Sequence, residues 1–182
     1  MRKSYFSCIL PLTLVILTYS CKPFDPDPPR TPPASVEGYA PIYGSLATAT
    51  TIRSTTPQDI VKGGKIYVKS DTLYQVEAGK GIHVISIAQP DVPHKLAFIE
   101  VSGCQEMAIM DNLLYTNNLN DLVVVNIQNI ANVLEVDRIT NTFHLVDADR
   151  PPGTGWFECV DPSRGDVVGW EMKTLNYPQC SH

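Results

Sequence analysis

The chain has 182 residues, with 14 Lys and Arg against 19 Asp and Glu for a formal charge of −5. No run of basic residues occurs anywhere in it, which excludes nucleic acid and an anionic membrane face as electrostatic partners, since both need clustered Lys and Arg. Without its first twenty residues, which carry Arg2 and Lys3 and no acid, the remaining 162 residues hold 12 basic and 19 acidic groups, a charge of −7.

Arg2 and Lys3 precede an apolar run from Ile9 to Leu17, and Thr18-Tyr19-Ser20-Cys21 follows it. A basic start followed by a short apolar stretch reads as a bacterial secretory signal, too short for the roughly 20 residues that cross a hydrocarbon core. Ser20 directly before Cys21 resembles the lipobox at which bacterial lipoproteins are cut and acylated, although Thr18 stands where leucine is usual. Cys8 precedes the apolar run and does not fit that role. By the same resemblance, Lys22 in place of the aspartate that retains some lipoproteins at the inner membrane implies the outer membrane of a Gram-negative bacterium, in either leaflet. Two or three acyl chains, at about 0.8 kcal/mol per buried methylene, would anchor the protein. Six prolines between Lys22 and Ser35 predict an extended polyproline spacer. The chain thus divides into a signal at 1–20, a lipidated Cys21 with its spacer at 21–38, and a β domain at 39–182.

Tyr39 to Tyr43 reads as a short edge strand, and Thr56 to Val61, with Pro57 suited to a first helical position, as a short helical turn; the rest of 36–64 reads as loop. From Lys65 the pattern sharpens into strands at 65–69, 72–76, 82–87 and 95–101, separated by Ser70-Asp71, Gly79-Lys80-Gly81 and a loop with Pro90 and Pro93. The order then returns at 106–110, 113–116, 122–127 and 133–139. Gly81-Ile-His-Val-Ile-Ser-Ile87 falls on Asp121-Leu-Val-Val-Val-Asn-Ile127 with an offset of 40, whereas Tyr74 and Tyr115 are 41 apart, so one residue is lost in the turn before the third strand. A period of this length built from β-branched runs and turns marks a four-stranded blade, the unit of a β-propeller. The third strands are apolar on both faces and read as packed on both sides. After Thr140 the period stops; Phe143 to Val146 could start a strand, and 156–160 with 166–172 predicts a hairpin whose Trp156 and Trp170 cover an open end of the stack. The repeats span about 65–101 and 106–139, with a C-terminal cap over 143–182.

The stretches Gly81 to Pro93 and Asp121 to Val133 resemble the LVIVD repeat of β-propeller-type bacterial surface proteins, and residues 62–140 resemble LVIVD-type lipoproteins of Gram-negative bacteria. The resemblance implies fold and address and little about function. A propeller closes with about four or more blades, and two are found here. The expected fold is therefore all-β, with two consecutive four-stranded antiparallel propeller-like blades, an incomplete propeller, and a C-terminal hairpin. Open strand edges in such a stack imply a protein partner or self-association through those edges.

In an exported protein, Cys104, Cys159 and Cys180 allow three single pairings. Cys159 with Cys180 is favoured, because it closes a loop of about 20 residues in a segment short of apolar sequence, for about 3 kcal/mol. Cys104 reads as a small buried apolar side chain. Among the four histidines, His83 reads as a packed strand residue, and His94, His144 and His182 have no ligand-spaced partner. Asp147-Ala-Asp149 lacks the glycine and distal glutamate of a calcium loop. Glu158, Asp161, Asp166 and Glu171 are the carboxylates from which a carbohydrate hydrolase would draw its pair. No nucleophile or phosphate-loop motif is present, and no catalytic, metal or cofactor-binding residue is assigned. The expected function is a membrane-anchored, non-catalytic binding or scaffolding module for a protein or glycan partner, with an envelope hydrolase acting through loop carboxylates as the alternative.

Overall fold

The structure, a computed structural model, describes residues 31–182; the expected signal sequence, Cys21 with its expected lipidation, and most of the proline-rich stretch lie outside the described residues. The described chain is all-β apart from one helical turn and a 3-10 turn at Pro162–Arg164. In chain order it runs β1 (Val36–Gly44), α1 (Leu46–Ala49), β2 (Arg53–Thr55), β3 (Gly63–Lys69), β4 (Thr72–Glu77), β5 (Gly81–Ser86) and β6 (His94–Glu100). It continues with β7 (Met107–Met110), β8 (Leu113–Asn118), β9 (Asp121–Asn126), β10 (Leu134–Ile139), β11 (Trp156–Phe157), β12 (Asp166–Leu175) and β13 (Cys180–Ser181).

Strands β3 to β6 form the first expected blade and β7 to β10 the second, each an antiparallel meander. β2 adds a fifth strand outside β6, pairing Arg53 with Glu100. The turns repeat as the strands do. Ser70 and Asp111, both at the start of the first hairpin turn, adopt positive φ, as do Gly79 and Leu119 in the second. The residue lost before the third strand is lost there: β4 and β5 are joined by three residues, β8 and β9 by Leu119 and Asn120 alone.

The two blades pack with opposite faces in contact. Paired residues in a sheet share a face, so Tyr74, Val84 and Ala97 lie on one side of blade 1 with Val76, Ile82 and Ile99. This leading face is buried against Ile109, Leu114, Val123 and Val125 of blade 2 in one continuous core. By repeat position those four correspond to Val68, Leu73, His83 and Ile85, which lie on the other, trailing face of blade 1. Leading face on trailing face is the stacking of a propeller, in which each blade presents to the next what it received from the last. The link between blades supports it: Val101 and Cys104 are fully buried, and Gly79 N–H donates to the Cys104 carbonyl at 2.7 Å.

The segment expected to hold a helical turn at Thr56 to Val61 forms no helix and no strand. Its backbone groups are held by blade 1 instead: the amides of Val61 and Lys62 donate to the buried Glu77 carboxylate, and the Gln58 carbonyl accepts from Lys95 Nζ at 2.6 Å. The single helical turn falls earlier, at α1. Phe143 to Val146 forms no strand; Asn120 takes its amides at Leu145 and Val146 and donates to the Val146 carbonyl.

Both C-terminal strands form, but they do not pair with each other. β1 lies between them, antiparallel to β12 over its whole length and parallel to β11 at Tyr39 and Phe157, in the order β12-β1-β11-β13. The stretch expected as an edge strand is therefore central. Pro41 is tolerated there because Tyr39, two residues earlier on the same edge, takes Glu158 N–H at 2.8 Å, and β11 has ended by the level of Pro41, where no ladder bond is forfeited. The Trp170 indole N–H donates to the Asp147 carbonyl at 2.8 Å and its ring meets Phe157 edge-on at 5.8 Å.

Candidate functional site

A groove of about 640 Å³ runs between the Leu119–Asn120 turn of blade 2, α1 and the start of β12. Leu46, Val146, Val160 and Val167 supply apolar lining, and Asn120, Asp121, Asp149 and Asp166 the polar groups. Most of the polar groups already have protein partners. Asn120 holds the Leu145–Val146 wall, Asp166 Oδ2 accepts the Leu46 amide at 3.2 Å at the start of α1, and Asp121 binds Arg138.

Arg138 is the hub of that end of blade 2. Its guanidinium donates to Asn118 Oδ1 at 3.0 Å, Asp121 Oδ2 at 2.7 Å, the Thr50 carbonyl at 2.8 Å and both Glu135 oxygens. The Glu135 carboxylate beside it, joined by Asp121, outweighs partial burial and raises its pKa above the ordinary arginine value. Asn118 in turn donates to the Ala49 and Ser102 carbonyls, both at 2.9 Å. One charged residue thereby ties α1, the interblade link and the outer strand together.

The same repeat positions in blade 1 hold a different network. Glu77 stands where blade 2 has Asn118, His83 where it has Val123, and Phe98 where it has Arg138. His83 is 1 % exposed and its Nε2 lies 3.0 Å from Glu77 Oε2, while Nδ1 has no partner. Phe98 packs on the imidazole with ring centroids 4.9 Å apart. Burial raises the Glu77 carboxyl pKa, but His83 and the amides of Lys62 and Val61 outweigh it, so the net shift is downward. His83 is thus the packed strand residue its apolar neighbours predict. Its acidic partner escapes a spacing rule because it lies across a hairpin, six residues away.

Cys159 and Cys180 form the expected disulfide, with Cα atoms 5.3 Å apart, fastening β13 to the end of β11. Cys104 is free and buried, with Sγ 3.2 Å from Thr116 Oγ1. Burial pushes its thiol up to about 11, which keeps it protonated and unreactive. Asp147 Oδ1 accepts the amides of Asp149 and Arg150 and so shapes its own loop. Asp161 caps the 3-10 turn, and the Ser163 hydroxyl and amide hold its carboxyl below the usual range. Glu158 pairs with Arg164 at 2.9 Å and Lys173 at 3.1 Å, and Arg164 also lies 4.3 Å over the Tyr43 ring. A glycosidase acid needs a raised pKa; Asp161 is shifted the other way and both Glu158 oxygens are occupied by cations. Glu171 is exposed on β12, away from the groove lining. His94 is exposed at the start of β6 and His144 is exposed in the 140–149 loop. His182 Nε2 lies 2.8 Å from the Gly153 carbonyl.

Among the described residues no group of three or more His, Cys, Asp or Glu is placed to hold a metal, and no helix is long and apolar enough to cross a membrane. No protein-family model, curated protein or solved structure matches the chain.

Proposed function

We propose that this chain is an envelope lipoprotein, anchored through Cys21, that acts as a non-catalytic binding or scaffolding module for a protein or glycan partner. The observation that carries the reading is the groove between blade 2 and β12. Its walls are pinned by Asn120, Asp121 and Asp166, so it offers a preformed surface whose polar groups shape the site rather than react. Preformed clefts with apolar lining and a few fixed polar groups are the common form of binding sites. The apolar run before Cys21, the proline-rich spacer and the resemblance of the repeats to LVIVD surface proteins support the address.

The test has two arms. Palmitate label is expected on the wild type and not on Cys21→Ser; label retained by Cys21→Ser refutes the anchor. Retrieval from detergent-solubilised envelopes, or from a glycan array, is expected to yield a stoichiometric ligand with wild type that is lost with the groove variant Asp149→Arg. Equal retention by that variant refutes the groove.

A further inference from the structure

Leading-on-trailing packing leaves each end of the stack with a face whose counterpart is buried inside the molecule. On blade 2, Ile139 pairs with Leu122 on the leading face and is 54 % exposed, whereas its repeat counterpart in blade 1, Ile99, is fully buried. Tyr115 and Val124, on the same face, are half-buried, and their counterparts Tyr74 and Val84 are core. On the trailing face of blade 1, Val68 is 54 % exposed where its counterpart Ile109 is 7 % exposed. Val61 shows the largest contrast. The Ala78 amide donates to the Lys62 carbonyl as the Leu119 amide donates to that of Ser102, which matches Val61 to Val101; the first is 78 % exposed and the second fully buried. The open parts of these two faces thus repeat, position for position, surface that is buried between the blades, while His83 and Phe98 on the trailing face of blade 1 are already covered within the molecule at 1 % exposed each.

We propose that the leading face of blade 2 docks on the trailing face of blade 1 in a second copy of this chain, extending the blade stack head to tail. Charge agrees at the inner rim. Within the molecule Lys65 of blade 1 pairs with Glu106 of blade 2, and these are equivalent positions, so the next copy sets its own Lys65 against the Glu106 of the first. The complementarity is weaker than inside the molecule, because Asp137 replaces the buried Ala97 and Ala108 lacks the hydroxyl that Tyr67 gives to the Ile109 carbonyl at 2.8 Å. A whole face four strands wide and six residues long measures roughly 19 by 20 Å, and with His83 and Phe98 already covered the open part is under about half the roughly 800 Å² per partner of a stable complex. Association is therefore concentration-dependent, and because the contact is heterologous it propagates or closes into a ring rather than stopping at a two-fold dimer. The inference does not depend on the lipid anchor or on the groove.

Sedimentation of the full chain in mild detergent, from about 10 to about 500 μM, tests it. Wild type is expected to form dimers and larger species as concentration rises. Ile139→Lys, which blocks one face, and Val68→Glu, which blocks the other, are each expected to be monomeric. An equimolar mixture of the two is expected to give dimers and nothing larger, since each keeps the face the other lacks. Wild type that stays monomeric throughout, or either single variant associating as wild type does, overturns the proposal. Near-UV circular dichroism monitors folding; if Val68→Glu does not fold, Val61→Glu, on an exposed loop, takes its place with the same expected outcomes.

Discussion

Replacing Glu77 perturbs one buried carboxylate on which three donors converge: His83 Nε2 at 3.0 Å and the amides of Val61 and Lys62. Glu77→Ala leaves the imidazole without a partner on either nitrogen, since Nδ1 already has none. A buried polar group stripped of its partner costs about 1–3 kcal/mol. The two amides belong to exposed residues and can turn to water, adding about 1 kcal/mol together. The expected loss is about 2–4 kcal/mol of a stability that is typically about 5–15 kcal/mol. Glu77→Gln keeps one acceptor but sets an NH₂ against the donors, for about 1–2 kcal/mol. His83→Val imports the residue blade 2 uses at this position, and in that background the Glu77→Gln penalty is expected to shrink by about 1 kcal/mol. Urea unfolding followed by circular dichroism gives the energies. Hydrogen exchange at Val61 and Lys62 reports release of the covering segment, which should also become the first site of proteolysis. A Glu77→Ala loss below about 0.5 kcal/mol, with exchange at those amides unchanged, would refute the assignment of Glu77 as the tie between segment and blade.

The same carboxylate predicts a pH dependence: its folded pKa lies below the ordinary 4.5, so its contribution is complete above pH 4.5 and is lost as pH falls through the folded value, and Glu77→Gln should flatten that part of an acid-unfolding profile. Arg138→Lys is expected to cost about 2–3 kcal/mol, because an ammonium cannot reach Asn118, Asp121, Glu135 and the Thr50 carbonyl together; a change under about 0.5 kcal/mol in urea unfolding would contradict the hub. Removing the disulfide with Cys159→Ser and Cys180→Ser should cost about 3 kcal/mol. Cys104 should meanwhile stay inert to a thiol reagent until denaturant is added, and labelling in the native state would contradict its burial. Gly81→Ala should unfold blade 1 or abolish expression, since φ is +152° and a Cβ would collide with the Ile99 carbonyl; a wild-type melting temperature would contradict that geometry.

Much of blade structure was legible because it is local. Hairpin turns at Ser70-Asp71 and Asp111-Asn112 and β-branched third strands specify a meander from short-range pattern alone, and loop length favoured the Cys159–Cys180 pairing among the three that an expected export allows. Pairings between distant segments were not legible. β1 and β12 find each other across more than a hundred residues, and nothing in Val36 to Gly44 distinguishes a central strand from an edge strand until β11 and β12 flank it. Nor did the sequence mark Glu77 or Arg138, because each acts on backbone groups brought from elsewhere: Glu77 on the segment before β3, Arg138 on the Thr50 carbonyl.

By itself, then, the sequence determined that the chain builds two consecutive antiparallel blades from one repeated pattern, and it favoured Cys159 with Cys180 among three pairings, since period, turn chemistry and loop closure are properties of neighbouring residues. Only the tertiary structure decided which face of each blade is covered. Alternation marks two faces on every strand without saying which meets the next sheet, and leading-on-trailing packing, by burying Ile99 and Val101 while exposing Ile139 and Val61, turned that ambiguity into two complementary open ends.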